Sequence, residues 1–396
     1  MLLPLLYPLA LAGCHTGVEP GTPFVLQTRA IEGAGIPAVG TDLTLDVATW
    51  NLEWFGDPGN GPVDDALQQA NVAAVIAALE LDLWSVQEVT DARAFDRLVD
   101  RLDGYAGILA DDPRVVEGPA YYSDFGGNEM KVGLIYRSDM VTVDSARVIL
   151  TAHDRAFAGR PPVELRLTVR PRTAGTPIDL VAILLHAKAG ADPEDRERRE
   201  AGAVALKAYL DATHPDARVL VIGDLNDDVD TSIAAGHPSP YRAFVADTAG
   251  YRFVTAALSA AGTSSTVFWP EVIDHHLVSD ELAADVVGEP ARLTGGDYLP
   301  GYGDTTSDHY PIIARYAPWT AGGAPVTIEP LRRVELGWVG ATSDQVEIFR
   351  DGELVARTVN DGQYTDAAPA GQPRLVYRVC EPASDRCSNQ ATVTLR

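Results

Sequence analysis

Val219-Leu220-Val221-Ile222-Gly223-Asp224-Leu225-Asn226-Asp227-Asp228 is the stretch on which the reading of this chain turns. The apolar run Val219 to Ile222 has the length and composition of a buried strand. Gly223 gives a tight exit from it. Asp224 and Asn226 then occupy alternate positions of one loop. A carboxylate there can orient or deprotonate water, and a carboxamide can hold a phosphoryl oxygen without adding negative charge. Asp227, Asp228 and Asp230 would suit a calcium loop by charge, but the Gly and distal Glu of an EF-hand do not follow at the required spacing.

The same arrangement, an apolar strand running into polar residues, recurs on both sides of this stretch. Leu45 to Trp50 reads as a strand and leads into Asn51 and Glu53, which are turn formers or contacts for a hydrated cation. Leu83 to Val86 leads into Gln87 and Glu88, where a carboxylate is either a solvated strand end or an oxygen ligand for Mg²⁺ or Ca²⁺. Ile178 to Leu185 leads into His186 and Lys188. A histidine there is a structural residue, or it contacts a phosphate and protonates a leaving group. Val272-Ile273 precedes Asp274-His275-His276, on a strand predicted over Ile273 to Val278. Ser307-Asp308-His309 precedes a strand from Pro311 to Tyr316. Adjacent Asp and His side chains diverge, so Asp274 is a better partner than Asp308 to orient His309.

Between these strands the helical period appears over Asp64 to Leu79, Asp91 to Leu102 and Asp192 to Leu210. Asp91 is placed to cap its helix and Pro193 suits a first turn. The mixed-sign run Asp192 to Glu200 reads as a solvated helix face. Lys131 to Tyr136, Val141 to Leu150 and Val163 to Val169 complete the strands. Strands that alternate irregularly with helices predict mixed sheets under covering helices, an α/β or α+β domain.

The order Asn51, Glu88, His186, Gly223-Asp224-Leu225-Asn226, Ile273-Asp274, Ser307-Asp308-His309 resembles the endonuclease/exonuclease/phosphatase superfamily, the DNase I-like hydrolases. The resemblance covers about Leu43 to Tyr316, within a domain set at residues 42–317. It implies a four-layered α/β sandwich, two packed mixed β-sheets flanked by helices, with the site where the strand-end loops converge. It implies phosphodiester hydrolysis with a divalent cation, Mg²⁺ foremost and Mn²⁺ or Ca²⁺ as substitutes. Carried over by motif, Glu88 is the principal metal ligand, with Asn51 and Asp308 beside it. Asp224 orients or deprotonates the attacking water and Asn226 holds a phosphate oxygen. His186 contacts the phosphate, and His309, paired with Asp274, stabilises the phosphoryl oxygens. Glu53 has no assured role. His276 is an extra histidine, read as a strand or surface residue, and Trp54, Trp84 and Trp269 are read as core.

The remaining ends read differently. Met1 to Ala12 is too short to span a bilayer and has the length of a signal-peptide core. Its end, Leu11-Ala12-Gly13-Cys14, resembles a lipoprotein cleavage box with Cys14 as the lipidated residue, although no Lys or Arg precedes the run. The expected product is exported, at a cell surface, in a periplasm or secreted, monomeric, and in contact with a membrane only through that anchor. Residues 15–41 read as a flexible linker and residues 318–325 as a second one. Residues 326–396 carry short β-patterned stretches with Asp-Gly turns and predict a small all-β sandwich. Val334 to Gly340, Ile348 to Val359 and Tyr377 to Cys380 resemble a fibronectin type III domain. Cys380 and Cys387, an even pair in an exported chain, predict a disulfide.

Charge limits the function. The 396 residues hold 56 acidic side chains against 31 Lys plus Arg, for a formal charge of −25. A broad basic face that wraps nucleic acid is excluded. A phosphodiester presented briefly to a bound cation is not, because the cation reverses the local field. A nuclease acting on DNA or RNA leads. A phosphatase or sphingomyelinase-like phospholipase of the same fold is the nearest alternative, and a non-catalytic surface adhesion protein is the other.

Overall fold

The computed structural model describes residues 24–30, 36, 38–122, 129–172, 175–319, 331–369, 374–384 and 386–394. Cys14, the apolar run before it and the linker expected from Thr320 to Pro325 lie outside them. The chain divides into two compact units, Val39–Glu329 and a second built from Met1–Ala38 and Pro330–Arg396.

The larger unit runs β1 (Leu45–Phe55), α1 (Asp65–Leu79), β2 (Leu83–Val89), α2 (Ala92–Val99), β3 (Tyr105–Leu109), β4 (Val115–Val116), β5 (Lys131–Arg137), β6 (Val141–Val148), β7 (Val163–Val169) and β8 (Ile178–His186). It continues with α3 (Pro193–Thr213), β9 (Val219–Asp224), β10 (Tyr251–Phe253), β11 (Asp274–Ser279), β12 (Ala291–Arg292) and β13 (Ile312–Tyr316). A seven-stranded sheet has the order β10-β11-β9-β8-β7-β6-β4, and a six-stranded sheet the order β12-β13-β1-β2-β5-β3. Both are mixed, because β8–β9 and β1–β2 pair in parallel while their other neighbours are antiparallel. Val47, Leu83 and Leu134 of one sheet share a buried cluster with Leu165, Leu180, Ala182 and Leu220 of the other, so the sheets pack face to face. Ala203, Leu206 and Leu210 of α3 cover the outer face of the seven-stranded sheet at Val181, Ile183 and Val221. Helix α1 buries Val72, Val75, Ile76 and Leu79 and pairs with α2 through Gln69 Nε2 donating to Ala94 O at 2.9 Å. This is a four-layered α/β sandwich.

The helix starts follow their caps. Asp64 accepts from Leu67 N at 3.0 Å and Asp91 from Arg93 N at 2.9 Å, each satisfying an amide that the helix leaves unpaired. Pro193 opens α3, where its missing N–H is no loss.

The inner faces position the site. Alternate residues of a strand share a face. On β9 the inward series is Leu220, Ile222, Asp224, and on β8 it is Leu180, Ala182, Leu184, His186. On β1 it is Leu45, Val47, Thr49, Asn51, and on β2 it is Leu83, Ser85, Gln87. Each strand is apolar at one end of the sandwich and polar at the other. Ser85 Oγ donates to Ile222 O of the facing sheet at 3.4 Å, and Thr49 Oγ1 to Gln87 Oε1 at 3.2 Å. Gly223 lets β8 and β9 close up at that end, because a Cβ there would lie 1.8 Å from Leu185 O.

The smaller unit is all β. Val25–Ala30, Leu331–Val339 and Gln363–Pro369 form a three-stranded sheet in that order. Glu353–Val359, Gln345–Arg350, Arg374–Cys380 and Ala391–Thr394 form a four-stranded one. Leu26, Leu336, Trp338, Ile348 and Tyr377 fill the core between them. The linker reading of residues 15–41 is thus corrected over Val25–Ala30. This segment pairs antiparallel with Leu331–Val339. Leu26 N also donates to Asn389 Oδ1 at 2.9 Å. Its partners lie about 300 residues away in sequence, and the segment sits among Gly and Pro, so no local pattern reveals it. Cys380 and Cys387 are joined by a disulfide.

Candidate active site

The polar ends of β1, β2, β8, β9 and β11, with the loop before β13, converge on one point. Asn51 Nδ2 donates to Glu88 Oε1 and to Asp224 Oδ2, both at 3.0 Å, and so joins the two sheets. His186 Nε2 lies 3.7 Å from Glu88 Oε1 and 3.7 Å from Asp224 Oδ2. His309 Nδ1 and Asp274 Oδ2 are hydrogen-bonded at 2.8 Å, while His309 Nε2 points to Asp224 Oδ2 and Asp308 Oδ1, each at 3.9 Å. Asn226 N donates to Asp224 Oδ1 at 2.8 Å, and Asn226 Nδ2 to Ala187 O at 3.2 Å. All eight residues predicted for the site are therefore placed together. Asp274, not Asp308, is the hydrogen-bonded partner of His309.

The backbone is strained where these side chains turn inward. Glu53, Trp54, Glu88 and Asn226 all have positive φ, between 49° and 58°. Non-glycine residues rarely adopt this conformation, and they keep it only where surrounding bonds over-determine it. Those bonds are present. Trp54 N donates to Glu88 Oε2 at 3.1 Å, and Glu53 N to Asn51 Oδ1 at 2.9 Å. Ser307 Oγ donates to Asn51 O at 2.6 Å and accepts from His309 N at 3.0 Å. Trp50 Nε1 and Tyr302 OH both donate to His309 O, at 3.0 and 2.6 Å.

The electrostatics separate the titratable groups. Burial raises the Asp224 carboxyl, nearby Asp274 adds to this, and it reaches about 7 against the pull of His309 and Asn51. Burial and the positive fields of Arg160 and His309 hold His186 well below its usual value, so it is neutral. Burial opposes charging His309, but Asp274, Asp224 and Asp308 outweigh it and keep the ring protonated well above the usual range. Burial and the neighbouring Asp308 lift Glu53 to about 7. Asp308 is raised by burial and by Glu88 and Asp274, with His309 opposing.

Two residues are not assigned to the site by the motif order, although Glu53 reads as a turn former or a cation contact. Glu53, left without a role by its motif, accepts Asp308 N at 2.9 Å and borders the carboxylates. Arg160 NH2 donates to Ala187 O at 3.0 Å, and its field acts on Glu88 and Asp224, while its buried Nε has no partner among the described atoms. It sits in the aperiodic stretch Gly159-Arg160-Pro161-Pro162, where nothing marks it. Other readings change. Asp227 is engaged by Arg199 in a buried ion pair at 2.7 Å and Asp228 caps Val272 N at 2.9 Å, so neither is a free calcium ligand. His276 is buried, and its ring meets Tyr316 OH at 3.2 Å and Ile312 O at 3.0 Å. Trp84 is buried, but Trp269 is 56% exposed beside Phe268 at 61%, which corrects its assignment to the core.

The donor set suits a divalent cation. Ligand atoms of Glu88, His186 and Asp224 lie within 4.8 Å of one another, as do those of Asp224, Asp274 and His309. The Glu53, Glu88, Asp224 and Asp308 carboxylates offer hard oxygen donors. Asn51 presents its nitrogen, not its oxygen, to Glu88 and Asp224. So many acidic groups share one buried space only if a positive charge joins them.

The two-sheet sandwich carries carboxylates, imidazoles and a carboxamide at one end, a set suited to metal-dependent phosphoester hydrolysis. Residues 48–309 match the endonuclease/exonuclease/phosphatase family, and the chain belongs to it. The chain is similar to an endonuclease/exonuclease/phosphatase from Bacteroides vulgatus at 19% identity, over 69% of this chain and 98% of that one, with a TM-score of 0.51. It is also similar to the human Nocturnin catalytic domain, at 16% identity over 74% and 98% with a TM-score of 0.46. D. rerio TDP2, solved with a single-strand DNA product, is similar at 15% identity over 69% and 98% with a TM-score of 0.47. At 19% identity the likeness to the Bacteroides vulgatus protein speaks to the fold. No curated protein matches the chain.

Proposed function

We propose that this chain is an exported, Mg²⁺-dependent endonuclease acting on DNA or RNA. One observation carries the hydrolytic part: three groups around one point are driven to different protonation states. Pairs of groups whose environments push them apart identify acid and base. Asp224, at about 7, is poised to take the proton of an attacking water. Charged His309, held by Asp274, faces the phosphoryl oxygens and neutralises the charge that develops there. Neutral His186 and the Asn226 amide contact the remaining oxygens, and Arg160, whose positive field acts on His186, Glu88 and Asp224, adds to the attraction for a phosphate. Glu88 and Asp308, with Glu53 beside them, would hold the cation, and Asn51, whose amide nitrogen faces Glu88 and whose oxygen accepts Glu53 N, would position these carboxylates instead of ligating through that oxygen. When bound, it supplies Lewis-acid polarisation of the phosphoryl and leaving oxygens.

The nucleic-acid reading rests on a second feature. Val267 N donates to Asp308 O at 2.7 Å and Thr266 pairs with His309, so the loop carrying exposed Phe268 and Trp269 is tied to the site. With a charge of −25, the chain has little electrostatic hold on a polyanion. Stacking of a base on an aromatic contributes ~1–3 kcal/mol without that charge. The smaller unit, with seven strands in two sheets, is proposed as a fibronectin type III-like spacer. The proposal of export and lipidation of Cys14 draws on the apolar run Met1 to Ala12 and the box Leu11 to Cys14.

The test is hydrolysis of single-stranded DNA, plasmid, RNA, sphingomyelin vesicles and bis-p-nitrophenyl phosphate, with Mg²⁺, Mn²⁺, Ca²⁺ or EDTA. Expected is EDTA-sensitive cleavage of nucleic acid. Cleavage of sphingomyelin alone would move the assignment to a phospholipase, and no cleavage of any substrate would favour the adhesion reading.

A further inference from the structure

Arg199 lies on α3, outside the motif residues, yet its guanidinium is fully buried behind the site. Its Nε and NH2 donate to Asp227 Oδ2 at 2.9 and 2.7 Å. Its NH1 donates to Lys188 O and Gly190 O, both at 2.7 Å. These carbonyls belong to the loop that follows His186. Asp227 belongs to the loop that follows Asp224 and Asn226. Asp227 is also saturated. Its Oδ1 accepts from Ile233 N at 2.8 Å and Asp228 N at 3.0 Å, and its Oδ2 from Ser232 Oγ at 2.8 Å. Its carbonyl meets His275 Nε2 at 3.1 Å, next to Asp274.

We infer that Arg199 and Asp227 are positioning residues: their buried ion pair holds the loops after β8 and β9 in one register, so that His186, Asp224 and Asn226 face a single point. The inference rests on the hydrolytic reading for its catalytic consequence, but not for its geometry. A buried pair with both side chains at 0% exposure adds little net stability over well-packed apolar residues, because its desolvation offsets its attraction. A planar fork with four bonds fixes distance and angle, which an apolar contact does not. The two loops are otherwise joined by Ala187 N donating to Asp224 O at 2.9 Å and by Asn226 Nδ2 donating to Ala187 O at 3.2 Å. Both bonds converge on Ala187, so a hinge there would stay free without Arg199. A displacement near 1 Å at reacting groups costs ~100-fold in rate.

The test compares the parent with Arg199→Lys and with the double variant Arg199→Met/Asp227→Leu. The double variant removes both charges and leaves neither buried alone. Two readouts are taken on the full chain. The first is amide hydrogen exchange, which needs no substrate. Expected is exchange ~10-fold faster at Leu225, Asn226 and Lys188 in the double variant, with the amides of β1 and β2 unchanged. Unchanged loop exchange in a folded double variant would overturn the inference. The second is hydrolysis of bis-p-nitrophenyl phosphate with Mg²⁺. Expected is a ~100-fold fall in kcat with KM within about threefold, and partial recovery in Arg199→Lys, which keeps the charge but loses the fork. A double variant with parental kcat would also overturn it. An inert parent would sink the hydrolytic reading alone, with the exchange result still deciding the positioning role.

Discussion

The catalytic sandwich carries buried acidic clusters at both ends of the same strands, and they are finished in opposite ways. At the start of β1 and β2, Asp46 accepts from Arg315 Nε at 3.1 Å, Thr44 Oγ1 at 2.9 Å and Thr41 N at 2.7 Å. Asp82 accepts from Arg172 NH2 at 2.6 Å and Asp46 N at 2.8 Å. At the far end of the same strands, the ion pairs of Glu88, Asp224 and Asp308 are to histidines, none closer than 3.7 Å. Burial raises carboxyls at both ends, Asp82 to about 8 and Glu53 and Asp224 to about 7, so the ends differ in their partners and not in the direction of the shift. The first cluster is neutralised by the chain itself and fastens it. The second is left short of positive charge and becomes a site.

The contrast makes predictions of decreasing size. Asp224→Asn should lower turnover by ~10³-fold while leaving the melting temperature equal or higher, since it removes a crowded buried charge. Kinetics and thermal unfolding on the same sample would show it, and a large loss of stability would make Asp224 a structural residue like Asp46. Asp46→Ala should do the reverse. It strands Arg315 beside empty space, costs ~3–5 kcal/mol in urea unfolding, and leaves kcat of the surviving folded fraction within about twofold. Adding Mg²⁺ at about 100 times its Kd should stabilise the parent by ~2.7 kcal/mol. The same addition should do nothing for Glu88→Gln, which calorimetry can compare. The last effect, the smallest over any one pH unit, concerns His276, on the inner face of β11. Burial holds it neutral down to about 4, against 6.5 for a free ring. The unfolded chain therefore takes up this proton first. Stability falls as pH drops from about 6.5 to about 4, by ~1.4 kcal/mol per unit. His276→Gln should flatten that part of the pH–stability curve, and an unaltered slope would place the acid sensitivity elsewhere.

What could be read from the chain alone follows the same division. The site end was legible because apolar strands announce themselves by composition, and each ends in a residue type that has little reason to be buried without chemistry. Glu88, His186, Asp224 and Asp308 are of this kind. The closed end was not, since Asp46 and Asp82 acquire meaning only through Arg315 and Arg172, 269 and 90 residues away. Distance in sequence also hid Val25–Ala30, whose strand partners lie beyond Pro330. Arg160 and Arg199 were hidden for another reason. Arginines on a loop and on a charged helix are ordinarily solvated, and only the fold turns these two inward. Trp269 shows the opposite error, because aromatic residues are usually core and this one is held out by the short loop before β11.

The most direct measurement is the rate of bis-p-nitrophenyl phosphate hydrolysis by the parent and by Asp224→Asn, each with Mg²⁺ and with EDTA. The account predicts turnover in the parent with Mg²⁺ alone. Turnover that survives EDTA or the Asp224→Asn substitution would contradict it.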